Sequence, residues 1–246
     1  MTVLEGKRAL ITGAAKRMGK AIAHALAAKG AHIVVHYRGS QREAEHLAGT
    51  LRDQGVHAWT VQADLADPEA ARAMFAGAVE QAGAIDILVN NASIFPEQTF
   101  EETDWQAVEM NMRVNAYAPL VLGRAFAAQK RSGAIVNLLD TMVRDYDRKH
   151  VPYHLSKRML ATLTRMMAVE CAPDTQVNAV APGLVLPPEG KDLSYLEGLA
   201  HTNLLQSHGE SGDVARAVVF LCENAFITGQ TIYVDGGRHL KGCMYE

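Results

Sequence analysis

The stretch Arg8-Ala9-Leu10-Ile11-Thr12-Gly13-Ala14-Ala15-Lys16-Arg17-Met18-Gly19 decides the fold. Arg8 to Ile11 reads as a short strand that Thr12-Gly13 ends. From Met18 to Lys29 the apolar residues Ile22, Ala25 and Leu26 fall at helical spacing, and Gly30 stands beyond the last turn as a stop signal. A strand that turns through glycine into a helix opens an α/β sheet, and the rest of the chain repeats the unit. Further strands are expected over 32–37, 57–61, 85–89, 134–139, 176–180 and 231–234. Helices are expected over 41–54, 68–81, 104–130, 153–172 and 213–223, with Pro68 at a helix start. This alternation predicts one α/β domain over 1–246: a doubly wound parallel sheet of the Rossmann type, about seven strands, with helices on both faces.

Residues 184–208 break the pattern. They carry Pro187, Pro188, Gly190 and Gly198 and far exceed the ~4–6 residues of an ordinary connection, so a substrate-binding loop is expected there. A chain of 246 residues, 48% of them hydrophobic, can bury a sizeable core without staples. Its 24 Lys+Arg against 27 Asp+Glu, with no block of like charge, exclude a strongly basic nucleic-acid binder and a polybasic membrane anchor. Cys171, Cys222 and Cys243 are odd in number and widely spaced, which excludes a disulfide framework or a zinc ribbon. The histidines have no H-E-x-x-H spacing, so no metal is expected. Glu5, Lys7 and Arg8 precede any apolar run, and no stretch approaches ~18 apolar residues. The expectation is a cytoplasmic protein with neither signal peptide nor membrane span.

In an open α/β sheet, ligands sit beyond the carboxyl ends of the strands, where the strand order reverses. There Gly13 permits a tight turn and Gly19 lets helix and pyrophosphate approach, while free N–H groups at the helix start attract an anion. Arg17 takes the place of the usual middle glycine. Alone, the turn fits a dinucleotide site and a plain glycine-capped turn equally well. The second strand decides, because it ends His36-Tyr37-Arg38-Gly39-Ser40. An NAD site calls for an acid there to accept from the ribose 2′-hydroxyl, and none is present. Arg17, Arg38 and Ser40 suit a 2′-phosphate instead, since guanidinium offers a planar charged fork. NADPH is therefore expected over NADH, with Arg38 as a solvated loop charge the alternative.

Tyr153 and Lys157 are four apart on one helical face, just after Pro152. A neighbouring ammonium favours the phenolate, so the tyrosine pKa is expected to fall toward neutrality and make it a usable general acid. Thr12-Gly13…Gly19, Asn90-Asn91-Ala92, Tyr153-x-x-x-Lys157, Pro182-Gly183 and Asp235-Gly236-Gly237 stand in this order along the chain. Together they resemble the short-chain dehydrogenase/reductase family over essentially the whole length. The resemblance implies that Tyr153 is the proton donor, that Lys157 orients the nicotinamide ribose and that Asn115 completes a proton relay. It implies cofactor contacts from Gly13, Arg17, Met18, Gly19, His36, Tyr37, Arg38 and Ser40, and from Asp64 and Leu65 beside the adenine. Asn91, Ala92, Pro182 and Gly183 would complete that site. It also implies a homotetramer paired through the two long helices.

One position departs from the family. Its catalytic serine lies thirteen residues before the tyrosine, where this chain has Asp140. An ionised aspartate only accepts, and a negative charge beside a developing alkoxide opposes ketone reduction. It suits a substrate that presents N–H groups and takes its proton on nitrogen. The alternative is that Asp140 caps the turn while Thr141 or a water replaces the serine. With the glycine loop, the His36–Ser40 segment and Asn91-Ala92-Ser93-Ile94-Phe95, Asp140 is similar to the pteridine reductase branch. That resemblance implies that Arg17 reaches phosphate and pterin and that Ser93 and Phe95 flank the pterin, a flat ring held between Phe95 and the nicotinamide. Wall packing is the alternative for Phe95, a turn hydroxyl for Ser93. The implied activity is NADPH-dependent reduction of a C=N bond in a dihydropterin or dihydrofolate, with Tyr153 and Asp140 supplying the proton. Two other readings stand beside it. One is a general NADPH-dependent ketone reductase; the other is a non-catalytic dinucleotide-binding regulator, against which the Tyr153–Lys157 pair argues. His150 is expected to face solvent, the alternative being that it points toward the site if the preceding loop folds back, and 238–246 is expected to dock at a neighbouring site rather than trail.

Overall fold

The inner strands are near-continuous apolar runs, which is what burial on both faces of a parallel sheet demands. In a computed structural model describing residues 3–145, 147–188 and 190–241 they form one sheet in the order β3-β2-β1-β4-β5-β6-β7, every pairing parallel. The strands are β1 (Arg8–Ile11), β2 (His32–Tyr37), β3 (Ala58–Gln62), β4 (Ile87–Asn90), β5 (Gly133–Leu138), β6 (Thr175–Pro182) and β7 (Thr231–Val234). Exposure rises only at the two edges: β7 is half-exposed throughout, and three of the five β3 residues are at least partly exposed. The helices are α1 (Arg17–Ala27), α2 (Gln41–Asp53), α3 (Pro68–Ala82), α4 (Trp105–Met112), α5 (Ala118–Ala127), α6 (Val151–Glu170), α7 (Leu193–Leu199) and α8 (Ser211–Glu223).

The pleat sends alternate strand residues into two cores. Ala9, Ile11, Ile33, Val35, Ile87 and Val89 pack under α1, α2 and α8, while Leu10, Val34 and Leu88 pack under α3, α5 and α6. After β3 the chain crosses to the far side of β1 to lay down β4, so the order reverses between β1 and β4. Clefts form at such a reversal.

Three expectations need correction. The strand expected to start at Ile85 starts at Ile87, because the Ile85 N–H is taken by the Gln129 side chain at 2.9 Å. The helix expected over 104–130 is broken by a π turn, Arg113–Tyr117, between α4 and α5. The supposedly irregular 184–208 contains α7, whose first turn Asp192 caps by accepting from Ser194 N at 3.1 Å. Residues 242–246 of the tail, with Cys243, lie outside the described residues. No helix among the described residues is long and apolar enough to cross a membrane.

Candidate active site

The turn after β1 is held from two sides. Gly13, at φ +63, donates its N–H to His36 Nδ1 at 3.0 Å, which leaves Nε2–H of that ring to donate to Ala63 O at 3.2 Å. Burial pulls the His36 pKa down to about 4, so the ring stays neutral and keeps this tautomer. On the other side Asn91 Nδ2 donates to Thr12 O and Gly13 O at 2.8 and 3.1 Å, and Thr12 Oγ1 accepts from Asn91 N and Ala92 N. Gly19 cannot be replaced there: a Cβ would stand 2.3 Å from Gly13 O and 2.7 Å from Asn91 Nδ2. Arg17, standing where a glycine is usual, keeps a glycine's conformation at φ +53, at a cost of roughly 1–2 kcal/mol.

Above this turn lies a cleft of about 470 Å³. Its walls include Gly13, Arg17, Met18, Gly19, His36, Tyr37, Arg38, Ser40, Asp64, Leu65, Asn91 and Ala92, all expected from sequence, and also Ser93. Lys16, Gly39, Ile94 and Val114 line it too and were not anticipated. Lys16 is paired with Glu43 at 2.7 Å. The Arg17 guanidinium also donates to Pro187 O, tying the glycine turn to the 184–208 loop.

Pro182, Gly183, Tyr153 and Lys157 lie outside that wall. Gly183 N donates to Val234 O at 2.9 Å, and a Cβ on Gly183 would meet Asp235 Cβ at 2.6 Å. Tyr153 sits in the first turn of α6 and donates its hydroxyl to Asp140 Oδ2 at 3.0 Å. Asp140 Oδ1 accepts from Met142 N at 2.7 Å and so caps the short 3-10 turn Thr141–Arg144. Asp140 therefore does both jobs, capping and contacting the tyrosine. Thr141 is not free to replace a serine, since its hydroxyl donates to Asp235 Oδ2 at 2.5 Å.

The expected fall in the tyrosine pKa is reversed. Burial, then the Asp140 charge and its hydrogen bond, push Tyr153 well above its ordinary value. Lys157 lies 5.6 Å from the ring centroid, but its ammonium donates to Leu138 O at 2.7 Å rather than to the phenol. Burial pulls Lys157 down to about 8, opposed by Asp140. Asn115 is fully buried in the π turn. Its side chain exchanges two hydrogen bonds with the Ile94 backbone, at 2.8 and 3.0 Å, and donates to Ser156 Oγ at 3.0 Å. It makes no direct hydrogen bond to Tyr153 or Lys157, and its contacts hold the Ile94 segment beside them.

Phe95 follows on that segment, half-exposed, with its ring perpendicular to that of Tyr153 at 4.5 Å between centroids. His150 does not face solvent as expected. It stacks on Phe95, centroids 3.7 Å apart and planes 12° from parallel. Its Nδ1 lies 2.8 Å from Asp147 Oδ1, and His154 Nε2 lies 3.0 Å from the other oxygen. Burial would raise the Asp147 pKa, but hydrogen bonds from His154, His150 and the Lys149 N–H outweigh it and hold the carboxyl well below its usual range. Asp147 gave no signal in the sequence, because its partners lie three and seven residues on in a loop-to-helix turn of no regular period.

A family model described as enoyl-(acyl carrier protein) reductase matches residues 13–239. The chain is 33% identical over 248 residues to a 3-oxoacyl-[acyl-carrier-protein] reductase FabG of Staphylococcus aureus, covering 95% of this chain and 98% of the relative. It is similarly 33% identical to versicolorin reductase 1 of Aspergillus parasiticus, over 95% and 97% of the two chains. Among solved structures, FolM alternative dihydrofolate reductase 1 from Brucella canis, complexed with NADP, superposes with a TM-score of 0.89. It is 34% identical over 96% of each chain. A blue fluorescent protein from a metagenomic library, in complex with NADPH, gives 0.88 at 32% identity, over 96% and 98%. On this match, the reversal-point cleft and the Tyr153–Lys157 pair, the chain belongs to the short-chain dehydrogenase/reductase family of oxidoreductases.

Proposed function

We propose that the protein is an NADPH-dependent reductase acting on a C=N bond of a dihydropterin or dihydrofolate. The observation that carries this reading is the Asp140 carboxylate, 3.0 Å from the Tyr153 hydroxyl, where the family places a serine hydroxyl. The residues of the cleft suit the cofactor. The Gly13–Gly19 cradle is filled by any added Cβ, leaving its space to pyrophosphate, and β2 is followed by Arg38 and Ser40 with no acid among them to repel a 2′-phosphate. Asp64 and Leu65 would flank the adenine, with Asn91, Ala92, Pro182 and Gly183 toward the nicotinamide and Lys157 at its ribose. When bound, NADPH supplies the hydride.

The protein's own groups then govern the proton. Tyr153 holds its proton at neutral pH because burial and Asp140 oppose the phenolate. Passing that proton to a substrate atom leaves an anion beside the Asp140 carboxylate, which the Lys157 ammonium partly offsets. A ketone oxygen gains negative charge as it is reduced, and Asp140 opposes it. A C=N nitrogen gains positive charge as it is protonated, and the same carboxylate favours it while accepting from a neighbouring ring N–H. Phe95 offers the flat ring an aromatic face, Ser93 and Arg17 its polar edge, and 184–208 the outer wall. The FolM likeness supports this substrate class.

The FabG and versicolorin reductase likenesses favour a second reading, a general ketone reductase. NADPH oxidation followed with dihydrobiopterin, dihydrofolate and a ketoacyl ester in parallel, with NADH as control, separates the two. The proposal expects turnover of a dihydropterin or dihydrofolate with NADPH preferred. Turnover of the ester alone would replace it with the second reading, and NADPH binding without turnover of any acceptor would favour a regulator. Exposed Trp105 and Met110 on α4 and Met166 and Val169 on α6 support assembly through these helices as a homotetramer.

A further inference from the structure

We propose that His150, anchored by Asp147, is a positioning residue that fixes the plane of Phe95 and so confers selectivity for flat aromatic substrates. The inference rests on the reading of Phe95 as a substrate-facing ring. It starts from the fact that a phenylalanine on a loop, half-exposed and without a polar handle, has nothing of its own to hold its ring. Here the ring is caught from two directions, parallel to His150 at 3.7 Å and perpendicular to Tyr153 at 4.5 Å. The edge-to-face contact with Tyr153 is one of the geometries that aromatic rings prefer.

His150 is itself held at its backbone and at its ring. It precedes α6, so its backbone is fixed relative to Tyr153. Val151 N donates to Gln98 O at 3.1 Å and Gln98 N to Lys149 O, which ties the loop carrying Phe95 to the start of α6. The Asp147 carboxylate then sets the ring rotation through Nδ1 and is shared with buried His154, so it cannot swing away. A residue pinned at its backbone and at one ring nitrogen acts as a wall, not as a placeholder that the substrate displaces.

The test compares wild type with His150→Ala, which removes stack and anchor, His150→Phe, which keeps the stack alone, and Asp147→Asn. The acceptors are dihydrobiopterin, a flat aromatic ketone and an acyclic ketoacyl ester. Pterin fluorescence gives the affinity in the presence of NADP. His150→Ala should raise KM and pterin Kd about tenfold for the flat acceptors, with kcat within threefold and the ester unchanged, and His150→Phe should recover most of the loss. Asp147→Asn should fall between. An equal loss on the ester, or a tighter pterin Kd in His150→Ala, would overturn the proposal. A wild type that reduces the flat ketone but no pterin removes the pterin reading and leaves His150 to be judged on the ketone. A wild type that reduces only the ester removes both.

Discussion

Asp140→Ser is the perturbation that separates the two chemistries most sharply. Serine can still cap the 3-10 turn by accepting from Met142 N, so local structure is kept while the charge is lost. Asp140 Oδ2 lies 3.0 Å from the Tyr153 oxygen. A substrate atom taking the tyrosine proton sits about 2.8 Å beyond that oxygen, hence about 4–5 Å from the carboxylate. Unit charges at that range interact by about 4 kcal/mol at an effective dielectric near 20. With about half a charge developed in the transition state the effect is about 2 kcal/mol, or roughly 30-fold in rate. This contribution works against the dihydropterin and for the ketoacyl ester by about that factor each, while relief of the Tyr153 phenolate, which Asp140 also opposes, raises both rates alike and cancels in their ratio. The ratio of the two, from initial rates of NADPH oxidation, then swings by roughly 1,000-fold. A ratio that moves less than about threefold would refute the electrostatic argument, whatever happens to either rate alone.

Other consequences follow from the same contacts. The His36 pKa is about 4 when folded against 6.5 as a free side chain, so between those values the unfolded chain binds more protons and stability falls as pH drops from 6.5 to 4, by about 3 kcal/mol in all. His36→Asn, which can still accept from Gly13, should flatten the melting temperature across that window. Lys157 is held at about 8, so its ammonium is lost above that pH, and kcat/KM should fall on an alkaline limb near 8 that Asp140→Ser, removing an upward influence, shifts lower. Gly19→Ala should weaken NADPH binding at least 100-fold in a fluorescence titration, because its Cβ collides with the Gly13 carbonyl. Arg38→Ala should cost NADPH about 1.5–3 kcal/mol of affinity and leave NADH nearly unchanged.

The sheet was legible because its signals are local and periodic: β1, β2 and β7 lie at the limits expected from their apolar runs and flanking turns. The wall of the cleft was legible for the same reason, as most of its residues follow directly on strand ends. What escaped depends on long-range capture. The π turn around Asn115 accompanies capture of its side chain by the Ile94 backbone, 21 residues away, and no helical periodicity announces that. The tyrosine pKa was misjudged because spacing gives the Tyr153–Lys157 proximity but neither the burial of both nor the capture of the lysine by Leu138 O. α7 was missed despite a usable signal, Asp192 as a cap before Leu193 and Leu196, hidden among the surrounding prolines and glycines.

The most direct test follows the hydride itself. NADPH deuterated at its transferable position is offered to an equimolar mixture of a dihydropterin or dihydrofolate and a ketoacyl ester, and both products are examined by NMR. The account predicts deuterium on a pterin ring carbon bonded to nitrogen and an ester left almost unlabelled. Deuterium on the carbinol carbon of the ester, with the pterin unlabelled, would contradict it.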